Sequence, residues 1–145
     1  MPKSPCRAAR GFSLIELMVV LAVFGTLLTF GIPAYHSYLQ SQMLRGTSER
    51  LVQTVQLQRT RAMSVGQDVS LVFNTTAPAA WVVVGPNGSV RHELPNGVTF
   101  ASANPSSLTL SRSGRTNTSA MVVFANRAGA TDTVSIQVSG LALIR

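Results

Sequence analysis

Between Leu14 and Phe30 the chain reads LIELMVVLAVFGTLLTF, seventeen positions with a single ionisable group, Glu16. No other stretch restricts the possible folds as much. An apolar run of this length has to be covered by lipid or by other protein, and a carboxylate at its third position is an anomaly. A charge deep in a bilayer costs roughly 2.5–3.5 kcal/mol on insertion scales, and less near the interface. An acid kept there is therefore a functional candidate; the plain alternative is a Glu that reaches into the headgroup layer. Ahead of the run, residues 1–11 read MPKSPCRAARG, short and basic, with Lys3, Arg7 and Arg10 and no acid. A secretory signal peptide would carry an apolar core of about 7–15 residues and then a small-x-small cleavage site. This core is longer, and Pro33-Ala34-Tyr35 is a poor site.

The helical pattern beginning at Phe12 continues to about Val65, a length of about 80 Å at 1.5 Å per residue. Up to Ile32 it is apolar on all sides. Gly31 and Pro33 then interrupt it, and because proline removes one backbone bond and crowds the turn before it, a kink or local melting is expected near Thr29–Pro33. Beyond Pro33 the pattern turns amphipathic. Leu44, Leu51, Val55 and Ala62 share one face with Val52 and Met63 beside it, while Arg45, Glu49, Arg50, Arg59 and Arg61 take the rest. Gly66 is placed to end the helix.

After Gly66 the period changes to two. Val69, Leu71 and Phe73 alternate with Ser70 and Val72, and Trp81–Val84 follows as an apolar strand after a loop at Asn74–Ala80. Gly85-Pro86-Asn87-Gly88 has the residues of a tight hairpin returning through Ser89–Leu94. Val98–Ala101, Ser107–Leu110, Ala120–Ala125, Thr133–Val138 and Leu141–Ile144 read as further short strands, with a polar loop at Ser111–Ser119 and another at Asn126–Asp132. One long helix followed by seven or eight short strands implies an α+β fold, the helix lying on a sheet or on a pair of sheets.

The chemistry on offer is narrow. The formal net charge is +7, and from Arg45 onward nine arginines face four acids, Glu49, Asp68, Glu93 and Asp132. The single cysteine, Cys6, lies in the basic leader. His36 and His92 fall in unrelated segments without the spacing of a zinc site, and no glycine-rich phosphate loop leads from a strand into a helix. The residues therefore point to no enzyme, no metal and no cofactor. The loop Ser111–Ser119, with Arg112 and Arg115, carries groups that bond phosphate oxygens, and Arg127 and Arg145 could extend it into a basic stripe for nucleic acid. A solvated turn is the ordinary reading of such a loop.

The segment Gly11-Phe12-Ser13-Leu14-Ile15-Glu16 resembles the class III signal of type IV prepilins and type II secretion pseudopilins, G-F-[ST]-L-[IL]-E, at every position. Pro33 falls where those proteins carry a helix-kinking proline. The resemblance implies that a prepilin peptidase cuts between Gly11 and Phe12 and methylates the new amino group of Phe12. It implies a pilin-like fold with residues 1–11 as leader, 12–32 as transmembrane and filament-core helix, 33–66 as the amphipathic half and 67–145 as the β-rich domain. Partners would be other pilins or pseudopilins, the peptidase and the inner membrane, with the globular part in the periplasm. Basic residues before the span follow the positive-inside tendency, which agrees.

Within that superfamily, Leu51–Phe73 resembles the GspH/FimT minor pilins and pseudopilins, where Arg61-Ala62-Met63 and Gly66 fit the pattern and Thr60 stands in place of an alanine. Leu108–Arg115, Met121–Ala125 and Val134–Val138 resemble the strands that follow. Some DNA-uptake members carry a G-R-x-R element near the C-terminus. Here the corresponding residues are Gly140-Leu141-Ala142-Leu143, with leucine at both arginine positions, while Gly114-Arg115-Thr116-Asn117 lies one hairpin earlier and lacks the second arginine. The resemblance therefore implies a structural subunit first, and a DNA-binding minor pilin only as the alternative.

Overall fold

The long apolar and then amphipathic pattern forms one helical element, α1, Leu14–Val65, and the period-two segments form eight strands. The computed structural model describes residues 12–145, apart from the side chains of Phe30, Gly31, Pro33 and Ala34. The chain divides into two compact units, one reaching to His36 and one from Ser37 to Arg145. Helical backbone runs unbroken through residues 29–33, so the expected local melting does not occur there. At its far end the helix stops as anticipated. Gly66 takes φ +71° and its N–H bonds the Ala62 carbonyl at 3.0 Å, closing the last turn with a left-handed residue that tolerates the conformation because it lacks a Cβ.

The strands are β1 (Val69–Asn74), β2 (Ala80–Gly85), β3 (Gly88–Glu93), β4 (Val98–Asn104), β5 (Ser107–Leu110), β6 (Ala120–Asn126), β7 (Thr131–Ile136) and β8 (Ala142–Ile144). They make two four-stranded antiparallel sheets, ordered β3-β2-β1-β5 and β4-β6-β7-β8. Alternation puts Val69, Leu71 and Phe73 of β1 inward, along with Val122 and Phe124 of β6. The two sheets meet through aromatic rings. Phe100 lies 5.1 Å from Phe124 within the second sheet, and Phe73–Phe100 (6.2 Å) and Trp81–Phe124 (6.4 Å) cross between sheets edge to face.

Helix α1 contributes Leu44, Leu51, Val55 and Ala62 to the same core, the four residues that the spacing assigns to one face. The gaps of seven between them are filled by Thr47, Ser48 and Gln58, all buried. Thr47 and Ser48 can sit there because their hydroxyls bond back to the Met43 and Leu44 carbonyls, which removes the cost of burying an unpaired donor. Met63, expected beside the face, is exposed.

One hairpin is tighter than expected. The loop Asn126–Asp132 shrinks to residues 127–130 because buried Asn126 accepts the N–H groups of Ala128 and Ala130 on its side-chain oxygen, so β7 begins at Thr131. Truncating the ring at the meeting of the sheets, Phe124→Ala, is expected to cost about 3–5 kcal/mol, whereas Val72→Ala on the exposed side of β1 should stay within about 0.5 kcal/mol. Denaturant titration of the full chain in detergent, followed by emission of Trp81, measures both.

Candidate functional site

The first candidate region is the start of α1. Ser13 precedes the helix and its carbonyl accepts the Leu17 N–H at 3.2 Å, which places Glu16 in the first turn. A carboxylate there also meets the positive end of the helix dipole, a local reason for its position independent of any partner. Glu16 makes no ion pair among the described residues. Phe12 is 80% exposed, and every residue from Phe12 to Thr29 is exposed. Thr26 and Thr29 turn their hydroxyls back onto the Val23 and Gly25 carbonyls at 2.8 and 2.9 Å. The outer surface is thus apolar even where the sequence is not. Gly11, on the leader side of the expected cleavage bond, lies outside the described residues, and Pro33 is placed within helical backbone. Among the described residues no helix is long and apolar enough to cross a membrane.

The second candidate is the arginine loop. It is a stitched structure rather than a loose one. Ser111 N–H bonds the Arg115 carbonyl and Gly114 N–H bonds the Ser111 carbonyl, both at 2.8 Å, and the Ser111 and Ser113 hydroxyls meet at 2.6 Å. Thr116 is buried, with its hydroxyl on the Gln137 carbonyl. The Asp68 carboxylate accepts the Arg112 N–H at 2.9 Å, placing a negative charge where a phosphate would have to approach. Much of the loop's polar capacity is therefore already used.

Three segments converge beside this loop. Arg59 of α1 donates from Nε to the Gly114 carbonyl at 3.0 Å. Gly114 and Gly140 are both buried, with φ +75° and +76°. A Cβ on Gly140 would collide with the Gly114 carbonyl and meet the Arg59 stem at 3.1 Å, and one on Gly114 would strike the Met63 sulfur. Arg59 is thus a clasp between the helix and two turns. Nothing in the helical periodicity separates it from Arg61; only the meeting of residues 114 and 140 does.

Arg127 lies at the other end of the second sheet, whereas Arg145 lines a hollow with Thr118 and Ser119 of the arginine loop. Arg127 follows Asn126 at the end of β6, and Arg145 N–H bonds Thr133 near the start of β7. Arg145 borders a hollow shared with Ser41 and Arg45 of α1. Arg112 and Arg115 share one hydrogen-bonded loop, Arg145 stands between that loop and Arg45, and Arg127 lies beyond the end of β6. Glu49 lies 3.4 Å from Arg45. His92 stacks on Trp81 with centroids 5.5 Å apart, and no group of His, Cys, Asp or Glu among the described residues is arranged to hold a metal.

Residues 6–32 match the prokaryotic N-terminal methylation motif. Over 40 residues the chain is 52% identical to the type IV major fimbrial protein FimA, and likewise to a fimbrial protein, of Dichelobacter nodosus. That similarity covers 27% of this chain, and the chain spans a quarter (25%) of the length of those relatives. The fold is similar to that of the minor pseudopilin EpsH from the Type 2 Secretion System of Vibrio cholerae, with TM-score 0.57 and 14% identity over 70% of this chain and 95% of that one. Forty residues are thus similar to fimbrial proteins in sequence, and 70% of the chain to a pseudopilin in fold.

The clasp at residues 59, 114 and 140 yields a paired comparison. Gly129 also has a positive φ, +82°, but open space where a Cβ would go. Gly129→Ala should cost about 1–2 kcal/mol from the left-handed backbone alone, and Gly140→Ala a further 1–3 kcal/mol or so from the collision. Unfolding of the two variants side by side measures the difference.

Proposed function

We propose that this chain, a member of the type IV pilin-like and pseudopilin superfamily, is a minor pilin or pseudopilin of the GspH/FimT kind. Its work is structural: it joins or primes a pilus or a type II secretion pseudopilus. The observation that carries this reading is the start of α1, apolar on every exposed side and marked by Glu16 in its first turn. Such a surface is stable only against lipid or against other helices. In the inner membrane residues 12–32 anchor the subunit as a single pass, with the globular domain in the periplasm. In the filament the same surface exchanges lipid for neighbouring helices.

Processing and assembly follow from the same residues. The peptidase cuts after Gly11 and methylates Phe12, leaving a cationic amino group a few residues from an anionic one. Each charge is costly alone in an apolar surround, and the two compensate when the Phe12 ammonium of one subunit meets Glu16 of a neighbour. That contact sets how far one subunit is staggered against the next. Pro33 gives the helix a weak point beyond the membrane segment where it can bend on leaving the bilayer. The arginines play no part in this account, since two of them belong to a hydrogen-bonded loop and the other two lie elsewhere.

The experiment is mass spectrometry of the chain recovered from membranes of cells containing the peptidase. A start at N-methylated Phe12 is expected. Glu16→Ala should be cut normally yet recovered with filament subunits at roughly a tenth of the native level or less, as loss of a charge partner in a dry interface implies. An intact Met1 leader would sink the reading, and normal co-assembly of Glu16→Ala would remove Glu16 from it.

A further inference from the structure

The two sheets have four edge strands, and three are closed to further pairing. Strand β8 has three residues. The register of β4 shifts between Phe100 and Ser102, a bulge that disrupts its ladder. Beside β5, Thr116 bridges Leu110, and Asn117 both donates to the Thr109 carbonyl and accepts the Thr109 N–H. Strand β3 has none of these protections. It is six residues long, contains no proline, and pairs with β2 in unbroken register from Ala80↔Glu93 to Gly85↔Gly88.

The face of β3 that should be buried is also open. Val90 and His92 pair with Val83 and Trp81 and so share their side of the sheet. Val83 and Trp81 are buried, but Val90 is 54% exposed. The stripe of α1 shares one core with inward residues of β1 and β2, and Val90 of β3 stays outside it. Two hollows line this open face, one of about 450 Å³ bounded by Gln58, Arg61, Val65 and Val90, and one of about 480 Å³ bounded by Arg50, Leu57, Trp81 and His92. From Arg50 to Val65 the helix rises roughly 22 Å, and a six-residue strand spans about 20 Å. The trough therefore runs the length of the free edge.

The hollow beside Val65 and Val90 is mainly apolar, and the one beside Trp81 is mixed, with Arg50, Gln53, Thr54 and Glu93 among its lining. Leu57 and Val65 are exposed on the helix side. Arg50 and Arg61 form no ion pair among the described residues, whereas Arg91 on the strand is already held by Glu93 at 3.4 Å and by the Pro78 carbonyl. The Trp81 Nε1–H, buried in this wall, has no acceptor among the described residues.

We infer that β3 and the trough beside α1 form a docking site for an extended segment of a different filament subunit, added as a strand to the free edge and carrying both apolar and acidic side chains on the face it turns toward α1. Pairing supplies the main-chain contacts; every second side chain of the added strand faces α1, and among these the apolar ones enter the trough and the acids meet Arg50 and Arg61. A second copy of this chain fits poorly, since its own β3 would bring one acid, Glu93, already paired with Arg91. Its acids after the apolar run are Glu49, Asp68, Glu93 and Asp132, and its remaining edge strands β4, β5 and β8 hold none of them.

This inference rests on the proposed pilin role, and one experiment separates the two. A photoreactive benzophenone side chain replaces Val90 in the full chain, expressed in cells with the peptidase and the other pilin-like subunits and then irradiated. The expected adduct joins another subunit bearing the methylation motif, through a peptide with at least two acids at alternate positions. Arg50→Glu with Arg61→Glu should lower its yield by roughly tenfold while Trp81 emission stays unchanged. If that emission changes, Arg50→Gln with Arg61→Gln decides instead, with roughly a threefold loss expected. The same probe in place of Val72, on the opposite face of the first sheet, should give no such adduct.

The docking site is overturned by no adduct, by an adduct with a second copy, lipid or nucleic acid, or by one indifferent to the arginine changes. If the recovered chain begins at Phe12 and co-fractionates with filament subunits, such a result leaves the pilin role standing. If the chain is unprocessed, both readings fall together.

Discussion

A helix that is apolar on every side has nothing within its own domain to bury against. From Phe12 to Thr29 the described residues are exposed, and the hydroxyls that could have softened that surface are folded back onto the backbone. Hydrophobic burial is worth roughly 25 cal/mol per Å², so a surface of this kind is a standing demand for a partner. The rest of the molecule is consistent with it. The second unit completes its own core with one stripe of α1 and both sheets, and so remains folded whichever environment covers the first.

The parts of the fold that could be read from the chain are those set by burial period. Leu44, Leu51, Val55 and Ala62 were separable from the arginines because one face of a 3.6-residue period must be apolar, and the strands stood out because their inward residues alternate. Boundaries slipped where side chains rather than periodicity close the backbone. Asn126 draws a seven-residue polar loop into a tight turn through two bonds to its own amide oxygen. Thr47, Ser48 and Gln58 look like surface residues by composition and are buried because they lie between apolar neighbours on the same stripe.

The site was legible to different degrees for similar reasons. Gly11–Glu16 is a contiguous pattern, so its chemistry is visible without a fold. The arginines are scattered through the sequence, and charge alone could not tell a stripe from separate positions. Folding holds Arg112 and Arg115 in one loop, puts Arg145 beside a hollow next to that loop and sends Arg127 to the far end of the second sheet, while Arg59, on the helix surface, becomes the contact between the helix and two turns. The open face of β3 was hidden for the opposite reason: Val90 and His92 have the alternation of a half-buried strand, and only the placement of α1 leaves that half uncovered.

The inward-turned hydroxyls of Thr26 and Thr29 have a mechanical consequence. For any neighbour packed alongside this helix, the surface is smooth in the polar sense: one apolar residue replaces another as the two slide past each other, and no hydrogen bond is broken. Resistance to shear then falls on the single charged group in the first turn. In the proposed assembly a subunit would yield by slipping along the helix axis, and pairing of the Glu16 carboxylate would restore its register.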